Sequence, residues 1–291
     1  MKYSIRYCRG SRVLDTADEL IIKYNMKDVT HLLDFIKTRD EKQRIVVDIT
    51  QTKEEISVKT LSAAASIHKN FAVLLSIKQT NLLPDLDEAC ISFFFAEGAG
   101  DLDTLAGMLN LGVSDVYIIN ELGFFMDKIK FLCKNVNIRV YPNVAQSSTD
   151  LHIDNFKKFY IRPEDVEFYE EYVDVMEFFG PLDKQAILYE IYKKGVWNGD
   201  LNDLILGLKF HIDNQTFVPY FGKSRTVCNK RCAVGRCGLC DNIKSLSETL
   251  ERKGLGLRKK KNEYNINEET LYTDASSAFE RAEDLLKTER I

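Results

Sequence analysis

Short apolar runs alternate with amphipathic helical segments between Glu19 and Leu208, and this alternation constrains the fold more than any other feature. The runs are rich in Val, Ile, Phe and Tyr and are apolar at nearly every position. That composition is typical of strands buried on both faces of a parallel sheet. In chain order the eight runs are Glu19–Tyr24, Arg44–Thr50, Phe71–Lys78, Cys90–Glu97, Asp115–Asn120, Asn137–Asn143, Lys158–Arg162 and Val173–Gly180.

Helical patterns separate most of the runs. In one of them Leu102, Leu105 and Met108 fall on a single face, and Gly112 follows as a C-cap. Gly195 ends another in the same way. Eight strands with about seven helices predict a (β/α)₈ TIM-like barrel. The alternative is an open doubly wound sheet, although no glycine-rich phosphate turn follows the first run.

The pattern changes beyond Leu208, which predicts three parts of the chain. Residues 1–210 form the barrel, and residues 211–256 form a basic, cysteine-rich, metal-binding extension. A polar linker and a final helix occupy residues 257–291.

Composition indicates the compartment. No apolar run approaches the ~20 residues needed to span a bilayer, and the polar, basic N-terminus is no secretory signal. We therefore expect a cytoplasmic protein without a membrane partner, in which structural disulfides are rare. We expect the scattered Cys8, Cys90 and Cys133 to be buried small hydrophobes.

Four of the seven cysteines lie within thirteen residues, with the spacing C-x3-C-x4-C-x2-C. Four thiols this close together in a reducing compartment usually share a metal. Zinc accepts four thiolates, and an iron–sulphur cluster is often held by cysteines of one short segment. The chemistry of the thiols leaves both metals open. The predicted ligands are Cys228, Cys232, Cys237 and Cys240.

The region around the cysteines is strongly basic. Between Lys223 and Lys261, twelve Lys or Arg residues oppose three Asp or Glu, a net charge of +9, so the rest of the chain is near −13. Such segregation suggests an anionic partner, and phosphate contacts from Lys and Arg would bind RNA or DNA. The candidate nucleic-acid contacts are Lys223, Arg225, Lys230, Arg231 and Arg236.

Polar residues follow the predicted strands, where (β/α)₈ enzymes carry their catalytic groups. Asp48 and Thr50 are examples at the end of one run. The better candidates for catalytic residues are charged side chains embedded next to apolar runs. No His-Glu-x-x-His, Gly-x-Ser-x-Gly or P-loop motif is present. The predicted catalytic residues are Glu97, Glu121, Arg162 and Glu177.

The stretch Gly112–Asn143 resembles a segment of the collagenase-like peptidase family, in which a strand ends just before a Glu-Leu pair, here Glu121-Leu122. The resemblance implies a (β/α) barrel with cysteine ligands. It also implies an iron–sulphur protein that supports hydroxylation of RNA bases or of ubiquinone precursors. It therefore favours a 4Fe-4S cluster over Zn²⁺.

Two functions follow as expectations. The first is a metal-binding barrel enzyme that modifies a nucleic acid or a small metabolite. The second is a zinc-stabilised, non-catalytic module that contacts nucleic acid or protein.

Overall fold

The computed structural model describes residues 1–7, 16–24, 29–52, 57–119, 122–123, 125–144, 160–181, 185–206 and 214. The chain divides into two compact units. The barrel unit consists of residues 1–118, 130–140 and 173–177, and the second unit consists of residues 119–129, 141–172 and 178–291.

Eight short strands in the described part of the chain form a single sheet that belongs entirely to the barrel unit. Most strand residues are buried, as expected for a sheet covered on both faces. The strands are β1 (Lys2–Arg6), β2 (Glu19–Lys23), β3 (Arg44–Asp48), β4 (Phe71–Leu75), β5 (Ser92–Phe95), β6 (Asp115–Tyr117), β7 (Asn137–Val140) and β8 (Val175–Glu177).

All strand pairs are parallel, and the order around the sheet is β5-β4-β3-β2-β1-β8-β7-β6. The two outer strands also meet. Ser114 N donates to Phe93 O at 2.8 Å, and Ala99 N donates to Tyr117 O at 2.8 Å beside a parallel bridge between Ala99 and Ile118. The sheet is therefore a nearly closed barrel with helices between its strands. The predicted TIM-like barrel is confirmed, and the open-sheet alternative is wrong.

The set of strands differs from the predicted set at two places. Residues Lys2–Arg6, which the sequence analysis treated only as a polar N-terminus, form β1 between β2 and β8. The run Lys158–Arg162 was predicted as a strand, but Tyr160, Ile161 and Arg162 lie outside any strand. The segment Tyr3–Arg6 alternates apolar and polar residues because one of its faces lines a polar barrel interior. A search for continuous apolar runs does not detect that pattern.

Helices follow most of the strands. The described residues also form two 3₁₀ helices, Ile77–Leu82 and Pro163–Tyr169. The α-helices of the described residues are α1 (Val29–Lys37), α2 (Val58–Ile67), α3 (Leu83–Glu88), α4 (Leu102–Asn110), α5 (Met126–Leu132), α6 (Gln185–Lys194) and α7 (Leu201–Leu204).

Helix α4 shows how local sequence sets these boundaries. Asp101 is the N-cap, and its carboxylate accepts a hydrogen bond from Thr104 N at 2.8 Å. Leu105 and Met108 form the buried stripe. Gly112 follows with φ 77°, a left-handed conformation that glycine adopts without steric cost, so the helix ends there as predicted.

Four charged side chains meet inside the barrel. Three of them are the first residues of β2, β3 and β6, and the fourth lies within β7. We call Glu19, Arg44, Asp115 and Arg139 the core cluster. Arg139 is fully buried and grips Glu19 with both terminal nitrogens, at 2.5 and 2.9 Å. Both terminal nitrogens of Arg44 likewise donate to the two carboxylate oxygens of Asp115, each at 2.6 Å. Arg139 also lies 3.3 Å from Asp115, so the two pairs form one network across β2, β3, β6 and β7.

The core cluster shifts the pKa values of its members in the direction that favours charge. Burial by itself raises the pKa of Glu19, but the charge and hydrogen bonds of Arg139 outweigh it, so the pKa lies below its usual value. Burial also raises the pKa of Asp115, but the hydrogen bonds and charge of Arg44 lower it by more, so this pKa too lies below its usual value. The pKa of Arg139 lies well above its usual value because Glu19 outweighs the burial that disfavours its charge.

No helix in the described ranges is long and apolar enough to cross a membrane.

Replacing Arg139 tests whether the core cluster holds the barrel together. Arg139→Met leaves Glu19 buried without its main partner, so we expect the free energy of unfolding to fall by about 3–5 kcal/mol. Urea denaturation measures the change. Lys37→Met is the matched control, because it removes an exposed pair with Asp34 that contributes less than about 1 kcal/mol. Equal effects of the two variants would contradict a structural role for the core cluster.

The pKa shifts predict that acid destabilises the fold. Glu19 and Asp115 have lowered pKa values in the folded state, so the unfolded chain binds protons first as the pH falls. Carboxyl groups in the unfolded chain have a pKa of about 4. The stabilisation that Glu19 and Asp115 give the fold is complete well above that pH, and it is lost as the pH falls through the unfolded pKa and then through the lower pKa of the folded state. Urea unfolding between pH 6 and pH 3 should show this loss. In Glu19→Gln the decline should be shallower, whereas the exposed control Asp34→Asn should keep the wild-type slope.

Candidate active site at the carboxyl ends of the strands

Four side chains converge from the carboxyl ends of four strands of the barrel unit. Arg6, Asp48, Tyr117 and Glu177 are the last residues of β1, β3, β6 and β8, and we call them the rim cluster. Parallel strands place all their carboxyl ends at one edge of the barrel, which is where barrel enzymes bind their substrates.

Arg6 is the centre of the rim cluster. Its Nη1 donates to Asp48 Oδ2 at 2.6 Å, and its Nε donates to Glu177 Oε1 at 3.1 Å. Two carboxylates on different strands therefore fix the plane of the guanidinium. The Arg6 side chain remains 27% exposed, whereas those of Asp48 and Glu177 are 9% and 0% exposed.

Glu177 connects the rim cluster to the core cluster. Its Oε2 accepts hydrogen bonds from the Tyr117 hydroxyl and, at 3.2 Å, from Arg139 Nη2. This fully buried carboxylate thus receives three donors, which is how a buried charge is tolerated. The rim is built on the interior ion network and depends on it for its geometry.

Asp48 is fixed from its other side. Its Oδ1 accepts from Thr50 N at 3.0 Å and from Thr50 Oγ1 at 2.6 Å, an Asx-type turn just past the end of β3. Both oxygens of Asp48 are therefore engaged, and the carboxylate that orients Arg6 has little freedom.

The arrangement is suited to binding an anionic or strongly polar group. A guanidinium presents a planar fork that matches carboxylate and phosphate. Orientation of Arg6 before a ligand arrives reduces the ordering cost of binding. The Glu177 carboxylate is fully buried and is bonded to Arg6 and Tyr117. A catalytic role for Glu177 stays a prediction.

Glu97 was predicted to be catalytic, and the structure places it beyond the end of β5 as an exposed residue. Its carboxylate accepts from Ser76 Oγ at 2.7 Å and from Ile77 N at 2.9 Å. These contacts tie Glu97 to the amino end of the 3₁₀ helix Ile77–Leu82. A catalytic role for Glu97 stays a prediction.

Arg162, another predicted catalytic residue, belongs to the second unit and is 2% exposed. Its Nε and Nη2 donate to the two oxygens of Asp165 at 2.6 and 2.9 Å, and its Nη1 donates to Asn214 Oδ1 at 3.3 Å. Burial alone lowers the pKa of Arg162, but the bonds to Asp165 raise it above its usual value. Arg162 is thus a buried charged residue that forms an ion pair with Asp165 inside the second unit.

The remaining predicted residues lie outside the described residues. They are Glu121, the predicted ligands Cys228, Cys232, Cys237 and Cys240, and the basic residues Lys223, Arg225, Lys230, Arg231 and Arg236. Within the described ranges, no group of three or more His, Cys, Asp or Glu residues could hold a metal ion.

The scattered cysteines differ from one another. Cys133 is buried, as expected, and burial raises the pKa of its thiol to about 11, so it is unreactive. Cys90 is exposed at the turn after α3, with φ 54°, so the expectation of burial was wrong there. Cys8 lies beyond the described ranges.

Sequence reasoning named Glu177 as catalytic and noted Asp48, but it missed Arg6 and Tyr117. Arg6 was missed because its strand was not recognised, although the alternation in Tyr3–Arg6 could have shown it. Tyr117 lies inside an apolar run, where its hydroxyl gave no signal. Tyr117 meets Glu177 because β6 and β8 both pair with β7, and no local sequence pattern shows that strand order.

No protein-family model matches the chain, and no curated protein matches it significantly. Among solved structures the chain is similar to a cube-shaped, highly porous protein cage designed by fusing symmetric oligomeric domains. The two chains are 10% identical, with 99% of this chain and 98% of that chain covered and a TM-score of 0.40.

Proposed function

We propose that the protein is a metal-binding barrel enzyme that acts on a small metabolite or a nucleotide carrying an anionic group. The substrate binds at the rim cluster. A thiolate-bound 4Fe-4S cluster or Zn²⁺ is held in the C-terminal segment. The proposal places the protein in the cytoplasm, where the four thiols stay reduced.

The observation that carries the proposal is the geometry of Arg6. A guanidinium fixed by two carboxylates at the carboxyl ends of β1, β3 and β8 is both partly exposed and oriented in advance. The Arg6 side chain is 27% exposed although its two carboxylate partners are 9% and 0% exposed, so it is not sealed inside the barrel as they are. The position is also the one at which barrel enzymes bind substrate.

The proposal of a metal depends on the four cysteine thiolates. Four thiolates within thirteen residues suit Zn²⁺ or an iron–sulphur cluster, and both are soft-ligand sites. Lys230, Arg231 and Arg236 lie among the cysteines in sequence. Their charges would lower the pKa of nearby thiols and offset the negative charge of four thiolates. The metal would hold the C-terminal segment together and, as a cluster, would supply redox chemistry.

The second candidate is a zinc-stabilised module without catalysis that contacts nucleic acid or protein. The charge distribution favours it, since the basic stretch Lys223–Lys261 surrounds the cysteines. Binding of RNA or DNA through phosphates would then weaken steeply with salt. In that case the rim cluster would serve the stability of the barrel alone.

Replacing Arg6 tests the binding role of the rim. We expect phosphate monoesters or small carboxylates to raise the melting temperature of the wild-type protein. Arg6→Met should weaken that binding about ten- to a hundredfold, since a charge-assisted hydrogen bond contributes about 1.5–3 kcal/mol. Arg6→Lys should recover only part of it, because an ammonium lacks the planar fork. Thermal shift titrations with inorganic phosphate, acetate and a nucleoside monophosphate provide the measurement.

The control for this series is Lys37→Met, which removes one exposed positive charge from α1. Melting temperatures without ligand come first, because Arg6→Met also deprives Asp48 and Glu177 of a donor. Equal ligand shifts in the wild type and in Arg6→Met would refute the binding role of Arg6.

Replacing a cluster cysteine tests the metal site. Anaerobically purified protein should contain iron and sulphide, or zinc, in stoichiometric amounts. Cys232→Ser should lose most of the metal, because serine is a poor ligand for soft metals. The matched control is Cys90→Ser, which removes an exposed cysteine far from the cluster in sequence and should retain full metal content.

The identity of the metal separates the two candidates. Brown protein with iron and sulphide supports the enzyme, whereas colourless protein with one zinc and salt-sensitive RNA binding supports the module. Wild-type protein without any metal would eliminate both.

A further inference from the structure

Asn214 is the last residue that the structure describes, and Cys228 follows it by fourteen positions in the sequence. Asn214 belongs to the second unit and is only 4% exposed. Asparagine is mostly an exposed residue type, so burial of its carboxamide at the start of the C-terminal segment requires a physical reason.

The reason is a pocket that satisfies the donors of the residue. Asn214 Nδ2 donates to Glu164 Oε1 at 2.6 Å and to Trp197 O at 2.7 Å. Its Oδ1 accepts from Arg162 Nη1 at 3.3 Å, and its backbone N donates to Gly199 O at 3.2 Å. Both hydrogens of the amide and the main-chain hydrogen are therefore used.

The pocket is held in shape by bonds that do not involve Asn214. Asp165 grips Arg162 with both oxygens, at 2.6 and 2.9 Å. Trp197 N donates to Glu164 Oε1 at 2.6 Å, and the indole Nε1 donates to Asp200 O at 3.0 Å. Because these bonds hold the pocket in shape without Asn214, little conformational entropy is lost when the asparagine binds there.

The pocket is specific for a carboxamide. It presents a carboxylate and a carbonyl to the nitrogen side of the amide and a guanidinium to the oxygen side. An aspartate at position 214 would bring a second carboxylate against Glu164, whose Oε2 is already buried without a hydrogen-bond partner. An apolar residue would leave Trp197 O and Glu164 without that donor.

We propose that Arg162, Glu164 and Trp197 form an intramolecular docking site for the C-terminal segment of this chain, with Asn214 as its anchor. The docked asparagine fixes the point from which the segment carrying the cysteines continues. Fixing one end of a chain segment lowers the entropic cost of bringing its other residues to a defined place. Arg162 is in this view a positioning residue. The docking itself does not depend on the proposed metal.

The chain offers a direct probe of this site, because Trp197 is its single tryptophan and is 3% exposed. Asn214→Asp keeps the size of the side chain but removes both donors. We expect a red shift of the tryptophan emission, stronger quenching by acrylamide, and faster tryptic cleavage at Lys223 and Arg225. Asn110→Asp, the same change at an exposed position on α4, should alter none of these.

A second variant keeps the test decisive if Asn214→Asp unfolds the protein. In the double variant Asn214→Asp with Glu164→Gln, only one of the two facing side chains is a carboxylate, so the repulsion between them is removed. We expect it to recover much of the wild-type emission and of the wild-type resistance to trypsin. Wild-type quenching and cleavage in Asn214→Asp, or no recovery in the double variant, would overturn the proposal.

Metal content separates this proposal from the proposed function. Absence of metal from the wild type would refute the proposed function, whereas the fluorescence and cleavage comparisons would still decide the docking. Metal in the wild type together with unchanged fluorescence in Asn214→Asp would refute the docking alone.

Discussion

The buried guanidinium of Arg139 is the constraint on which the barrel depends. It lies in an interior that most barrels fill with apolar side chains, and it contacts carboxylates from three other strands, namely Glu19, Asp115 and Glu177. A buried charge is tolerated when opposite charges compensate the loss of hydration, and removing one partner leaves the others buried without that compensation. The strands must therefore meet in one register, because a slip of one residue would turn these side chains out of the interior.

The same interaction sets the geometry of the rim. Arg139 donates to the oxygen of Glu177 that also receives the Tyr117 hydroxyl, which leaves the other oxygen for Arg6. Arg6 is thus oriented by a carboxylate that is itself held from below. Binding sites gain precision when their contact residues rest on a second layer of fixed groups. In this barrel the second layer is the ion network inside the sheet, so the residues that support the fold would also position a ligand at the rim.

The second unit uses charge in a different way. Arg162 and Glu164 are not arranged around a strand end but around the carboxamide of Asn214, at the start of the segment that carries the cysteines. Charged residues beside apolar runs therefore have two different roles in this protein. At the rim they surround a partly exposed guanidinium, and in the second unit they hold the chain itself. Glu177 and Arg162 both lie directly beside apolar residues of predicted strands in the sequence, so only their partners distinguish them.

The sequence alone determined the fold class and the candidate metal ligands. Continuous apolar runs at regular spacing indicate a parallel sheet covered on both faces. Four thiols within thirteen residues predict a shared metal, which stays a prediction. Residues such as Glu177 could be named because strand ends are local features. The tertiary structure decided that β1 completes the barrel, that Arg6 and Tyr117 join Glu177, and that Arg162 pairs with Asp165 and Asn214. These facts depend on contacts between residues far apart in the chain, which only the order of the strands in the barrel and the packing of the second unit bring together.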